Sequence, residues 1–365
     1  MKKFLALGLM SGTSIDGIDI SLVETDGVSL KRMNYNFTHY YSKETNQRLE
    51  KIFSSDLLSN YKSLNFDYLN KLITDDHIDA VKLVKKKTSL MPNLLGFHGQ
   101  TILHLPEKKI SIQLGDGNVI ANKTNINVVS DFRSKDIQNG GQGAPLAPIY
   151  HQAILKQINS EPPSCIINIG GVSNLTYYDD KNLIGFDTGP GNGLIDWYVR
   201  KKLQLAYDKN GIIASKGIPK KTIVEEVTKN NFFKLIPPKS IDKLIFKNLL
   251  EKLNIFSLST EDAVATITEI TIISIINSLN FLPRMIKSMI IVGGGQHNSF
   301  IISELRRRFT GIVFTGNEIG LPADFLEAEL MAYLAARHVN GLAITFPKTT
   351  GVKKPICTGR LHQPL

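Results

Sequence analysis

Cysteine is nearly absent, with only Cys165 and Cys357 in 365 residues. Two thiols cannot build a disulfide framework, and their spacing does not suit a zinc site. The sequence therefore excludes a cystine-rich secreted scaffold and suits a reducing compartment, the cytoplasm. Long hydrophobic runs are missing too. No stretch reads as the roughly 20 apolar residues of a membrane span, so no membrane partner is expected. Acidic residues are outnumbered, 33 Asp and Glu against 43 Lys and Arg, leaving a formal net charge of +10. That excess would suit nucleic acid if it were gathered on one face. Instead it is scattered in short groups such as Lys85-Lys86-Lys87, Arg200-Lys201-Lys202 and Lys220-Lys221, without aromatics interleaved as stacking platforms. A basic surface that attracts small anions fits better, and no specific nucleic acid is expected.

What is present is an ordinary globular balance, 42% hydrophobic and 21% charged, long enough for two domains. The start, Met1-Lys2-Lys3 before Phe4 to Met10, imitates a short signal peptide. It runs straight into Ser11-Gly12-Thr13-Ser14 with no small-residue cleavage pattern, and a first β-strand entering a turn explains the same letters. Residues 3–9, 17–24 and 31–38 read as three strands, followed by polar helical segments over 44–88. A short strand from Asn93 to Phe97 is expected to stop at His98-Gly99-Gln100-Thr101. The pattern then restarts: strands at 165–169, 173–178 and 183–186 are separated by Gly170-Gly171 and Asp179-Asp180. This weak internal repeat suggests two similar domains. A helix capped by Ser259 and Asp262 runs to about Asn280. A strand at 289–292, a helix at 299–309, a strand at 312–315 and a helix at 323–338 complete an α/β chain.

Three glycine turns each follow a strand. Met10 to Asp19 reads MSGTSIDGID, in which Gly12 and Gly17 admit close backbone approach, Thr13 and Ser14 add donors, and Asp16 and Asp19 could hold Mg²⁺ through water. It lacks a phosphate-loop lysine. The second turn is Asn168-Ile169-Gly170-Gly171, and the third is Gly293-Gly294-Gly295 with Asn298 after it. One such turn is commonplace; three at strand ends suggest a polyphosphate site. Asp187, in Phe186-Asp187-Thr188-Gly189-Pro190-Gly191-Asn192, could take a proton at a strand end or merely cap the next helix. Asp196 could equally be a surface charge. The segment 130–146 is polar and glycine-rich, as substrate loops are, with Arg133 able to grip a carboxylate and Asp136 nearby. His98 and Gln100 could meet sugar hydroxyls or satisfy backbone. Glu327 and Glu329 could be solvated acids in a first helical turn.

Together the segments MSGTSIDGID (10–19), FHGQT (97–101), DFRSKDIQNGGQGAPLAP (131–148), NIGGVSN (168–174), FDTGPGN (186–192), VGGGQHN (292–298) and 321–337 resemble the anhydro-N-acetylmuramic acid kinase family. The resemblance implies two actin-like (RNase H-like) domains, set at 1–130 plus about 340–365 and at 131–339, with ATP and Mg²⁺ in the cleft between them, and a homodimer. It implies opening of a 1,6-anhydro sugar ring by water while O6 takes the γ-phosphoryl group, yielding N-acetylmuramate 6-phosphate in peptidoglycan recycling. Gly12 to Asp19 would bind phosphates and Mg²⁺, with the second and third glycine turns also at the nucleotide. Asp187 would activate water, and His98, Gln100, Arg133, Asp136 and Glu327 would lie at the sugar. The chain departs from the family after Pro237-Pro238-Lys239-Ser240, where Ile241-Asp242-Lys243-Leu244 replaces the usual Thr-Gly-Arg-Glu. Rival readings are a same-fold kinase for another sugar or small acid, and an actin-like nucleotide switch.

Overall fold

A computed structural model describes residues 1–12, 15, 17–54, 61, 64–241 and 243–365. The chain divides into two compact units, Met1–Ala153 with Phe325–Leu365, and Ile154–Asp324. The first break falls later than residue 130 and the return earlier than 340. The reason lies in helix Leu326–Val339, whose residues pack on the first unit's sheet.

The first unit is built on strands β1 (Phe4–Ser11), β2 (Gly17–Thr25), β3 (Leu30–Tyr40), β4 (Leu94–Leu105), β5 (Ile110–Leu114), β6 (Asn127–Ser130) and, from the far end of the chain, β12 (Arg360–His362). Their order is β12-β6-β4-β1-β2-β3, with β5 paired to β4. β1, β2 and β3 form an antiparallel meander, while β1, β4 and β6 run parallel. The signal-like start is the buried strand β1, with Ala6, Leu7 and Leu9 wholly buried.

The expectation that a strand ends at Phe97 is corrected. β4 continues through His98 and Gln100 because β5 folds back and pairs with its second half. Between Leu9↔Phe97 and Ser11↔Gln100 the β1–β4 register slips, and Gly99 takes a left-handed φ of 73° there. Bulges of this kind re-aim side chains where a strand must keep going.

The second unit repeats the plan with β7 (Ser164–Ile169), β8 (Val172–Tyr178), β9 (Leu183–Pro190), β10 (Ser288–Val292) and β11 (Ile312–Thr315), in the order β11-β10-β7-β8-β9. Again three strands are antiparallel and the last two join the first in parallel. Both units thus share the RNase H-like order expected of the fold class. Helix Thr260–Ser278 starts where the Ser259 hydroxyl accepts the Asp262 amide. With its continuation to Phe281 it has the length and mean hydropathy of a membrane span, contrary to the sequence expectation. Its Val264, Ile267, Ile270 and Ile275 lie in the second unit's core, so the apolar run is core packing.

Candidate active site

In the first unit, the end of β1 is held by a buried polar chain. The Tyr41 hydroxyl donates to Ser11 Oγ at 2.8 Å, and Ser11 Oγ lies 3.3 Å from His77 Nε2. His77 Nδ1 is 2.7 Å from the Ile73 carbonyl, which can only accept, so Nδ1 carries the proton and Nε2 accepts from Ser11. Burial pushes His77 down to about 4. Gln100 is fully buried, and its amide donates to the Gly12 carbonyl at 3.1 Å. Expected at the sugar, Gln100 in this structure holds the first glycine turn. Gly17 packs against the His39 carbonyl, leaving no space for a Cβ. Asp19 accepts from the Thr38 hydroxyl at 2.6 Å. Thr13, Ser14 and Asp16 lie outside the described residues.

Further along the same unit, Arg133 donates from Nε to His98 Nε2 at 3.1 Å and from Nη1 to the Gly143 carbonyl at 2.7 Å. A guanidinium has no acceptor, so His98 Nε2 is the acceptor and its proton sits on Nδ1, facing the Gly99 carbonyl at 2.8 Å. Burial and then the Arg133 charge hold His98 near 3, keeping it neutral. Asp136 is completely buried, taking the Gly143 amide at 2.6 Å and the Thr350 hydroxyl at 2.7 Å. It folds the glycine-rich loop rather than facing outward. His98, Arg133 and Asp136 therefore form one connected group, with Arg133 half-buried at its edge. Glu327 is exposed at the start of helix Leu326–Val339. Glu329 is not a solvated acid: it is fully buried, paired with Arg32 Nε at 3.0 Å and accepting from the Tyr150 hydroxyl.

In the second unit the other two glycine turns and the Asp187 segment converge. The amides of Asn192 and Gly193 donate to the carbonyls of Gly170 and Gly171 at 2.7 and 3.2 Å. Gly293, at a left-handed φ of 73°, packs against the side chain of Asn168, and Gly295 against Ile169. Gly294 differs: it is exposed, and a Cβ there would meet only Asn192 Nδ2, at 3.5 Å. Asn298 caps the helix Ser299–Arg308 through the Ile301 amide.

Asp187 lies inside β9, not at a strand end, because β9 runs on to Pro190. The register slips between Ser173↔Gly189 and Asn174↔Asp187, making Thr188 an extra residue. The following helix, Asn192–Leu203, has Gly191 as its N-cap with no side-chain bond, so Asp187 does not cap it. Instead the Asp187 amide donates to the Lys239 carbonyl at 3.0 Å, and its Oδ2 accepts the Ile241 amide at 3.0 Å. A half-buried carboxylate with a fixed orientation can act as a proton acceptor.

A sequence model described as anhydro-N-acetylmuramic acid kinase matches residues 4–364. The anhydro-N-acetylmuramic acid kinase of Zymomonas mobilis is 40% identical over 98% of this chain and 99% of its own length. That of Azorhizobium caulinodans is 39% identical, with the same two coverages. The chain belongs to this family. As an anhydro-N-acetylmuramic acid kinase family member it is an ATP-dependent sugar kinase.

Two sets of residues that bond to the candidate site's side chains or backbone were not singled out from sequence. Tyr41 and His77 come from a strand-end loop and a helix that show no motif. Lys239 stood in the segment noted only for its departure from the family. The departure itself leaves the Asp187 contact standing, because Ile241 contributes its backbone amide and any residue but proline has one.

Proposed function

We propose that this chain uses ATP to convert 1,6-anhydro-N-acetylmuramic acid to N-acetylmuramate 6-phosphate. Water adds at C1, the C1–O6 bond breaks, and O6 takes the γ-phosphoryl group, leaving ADP. Asp187 accepts the proton from the attacking water. The observation that carries this reading is the carboxylate's fixed setting: its amide and its Oδ2 are both held by the 239–241 backbone, beside the glycine turns of its own unit. Opening at an anomeric carbon ordinarily needs a base for water and an acid for the departing oxygen. Phosphoryl transfer removes the charge on O6, so one base suffices.

Gly12 to Asp19, Gly170-Gly171 and Gly293 to Gly295 serve the nucleotide, with backbone amides as the donors for phosphate oxygens. Among the described residues no three metal-ligating side chains cluster, and Asp19 is partly engaged by Thr38. Asp19 would help to hold Mg²⁺ when the nucleotide is bound, its carboxylate being an oxygen donor of the kind this ion takes. When bound, Mg²⁺ neutralises charge developing on the transferred group. Arg133, oriented by neutral His98, and exposed Glu327 face the sugar, while Asp136 folds the loop that follows Arg133 and Gln100 holds the first glycine turn. The same reading takes the enzyme to be a cytoplasmic homodimer.

The test is ADP release with 1,6-anhydro-N-acetylmuramic acid, glucose or N-acetylglucosamine as acceptor. Release that depends on the anhydro sugar supports the reading. Equal rates with glucose, or none above the sugar-free rate, would replace it.

A further inference from the structure

Lys239 lies at the foot of Asp187 and is only 3% exposed. Its Nζ sits 4.3 Å from the ring centroid of Phe281, 4.8 Å from Phe232 and 5.8 Å from Phe186, and donates to the Phe232 carbonyl at 3.2 Å. Three ring faces and one carbonyl are a favourable setting for a cation, yet removing an ammonium from water is costly. A side chain needed only to fill this space would be more stable there as leucine or methionine. The same residue accepts the Asp187 amide, and two positions later Ile241 donates to the Asp187 carboxylate. Phe186, one wall of the cage, is the residue before Asp187.

We propose that Lys239 is a positioning residue for Asp187: its caged ammonium holds the carboxylate ionised, while the backbone on either side fixes its direction. The inference rests on Asp187 being the base. Burial lowers the Lys239 ammonium to about 8, and the Asp187 carboxylate opposes that fall, so the cation persists at neutral pH. A cation near a carboxylate favours its ionised form. The cage adjoins Asp187 through Phe186 and through the Lys239–Ile241 backbone, and losing the charge acts on the base without touching the glycine turns.

The experiment is the pH profile of kcat for the full chain and for Lys239→Met, Lys239→Arg and Asp187→Asn. Methionine keeps the length and packs well against aromatic rings. The expected result for Lys239→Met is a kcat lower by at least ~10-fold at neutral pH, with the acid limb moved up by about one pH unit or more. The KM for ATP stays within about twofold, as for loss of an interaction made after binding. Lys239→Arg, which keeps a cation, leaves the acid limb near that of the parent. If Lys239→Met does not fold, Lys239→Gln removes the charge and keeps a donor for the Phe232 carbonyl. An acid limb that stays in place in the folded neutral variant overturns the inference, whatever happens to kcat. Near-parental turnover in Asp187→Asn overturns the base assignment and this inference with it. Loss of turnover in Asp187→Asn beside an unmoved limb in the Lys239 variant removes only the inference and leaves the base assignment standing.

Discussion

In the proposed reaction Asp187 both accepts the Ile241 amide and takes a proton from water, and asparagine separates the two. The amide oxygen can still accept the Ile241 amide, so the loop keeps its shape, but the proton acceptor is gone. Turnover of Asp187→Asn is expected to fall by about 10²–10⁴-fold, roughly 3–5 kcal/mol of barrier. ATP binding by calorimetry should be unchanged. Near-normal turnover in the folded variant contradicts the role. Gly294 gives a matching test on the nucleotide. Its neighbours leave room for a Cβ, unlike those of Gly293 and Gly295, so Gly294→Val should fold and report on ligand approach alone. Intruding on a close contact costs about 1–3 kcal/mol, so ATP should bind roughly tenfold more weakly or worse. Unchanged affinity takes Gly294 out of the site. The carboxylate was legible in the sequence because a Gly/Pro segment flanks it. Lys239 was not, because its cage joins Phe186, Phe232 and Phe281, which are nearly a hundred residues apart and carry no shared pattern.

At the scale of elements, the central strands were legible from their apolar runs and bounding glycines, and both three-strand meanders stand where the pattern placed them. The sequence misplaced where β4 and β9 stop. A glycine or proline reads as a terminator, yet in both strands a bulge lets pairing continue past it. His98 and Asp187 are thereby held in strands rather than on loops. The closeness of helix Leu326–Val339 to the first sheet was also hidden. Gly8 and Gly96 lie so near the Ala328 and Met331 carbonyls that any Cβ would overlap them. Gly96→Ala should therefore destabilise the first unit by about 1–3 kcal/mol or more, seen as a lower denaturation midpoint. An unchanged midpoint would mean that the helix can withdraw freely. At the other extreme, Ser259→Ala removes one cap from a helix otherwise fixed by its core face, and about 1 kcal/mol is expected.

For the whole molecule, charge is distributed unequally in a way that sets its response to acid. Seven of the eight histidines fall in the first unit, and only His297 in the second. Burial lowers His77 and His104 to about 4, and His98 and His151 to about 3, with Arg133 adding to the effect at His98 and His104. Below the ordinary value of 6.5 the unfolded chain binds protons that these folded sites refuse. Stability is thus complete above about pH 6.5 and declines as pH falls toward 4 and below. Hydrogen exchange at pH 7 and pH 5, corrected for intrinsic rates, should show residues 1–153 and 325–365 losing protection first. Equal loss in residues 154–324 would contradict this.

Whether Asp187 directs water to the anomeric carbon while O6 is phosphorylated is decided by the product formed in ¹⁸O-labelled water. The reaction is quenched before the new hemiacetal exchanges with solvent, and fragments are weighed by mass spectrometry. The expected result is an opened ring with the label at C1, an unlabelled phosphoryl group on O6, and no product from Asp187→Asn on the same timescale. A phosphorylated sugar whose anhydro ring is still closed, or label in the phosphoryl group, would contradict it.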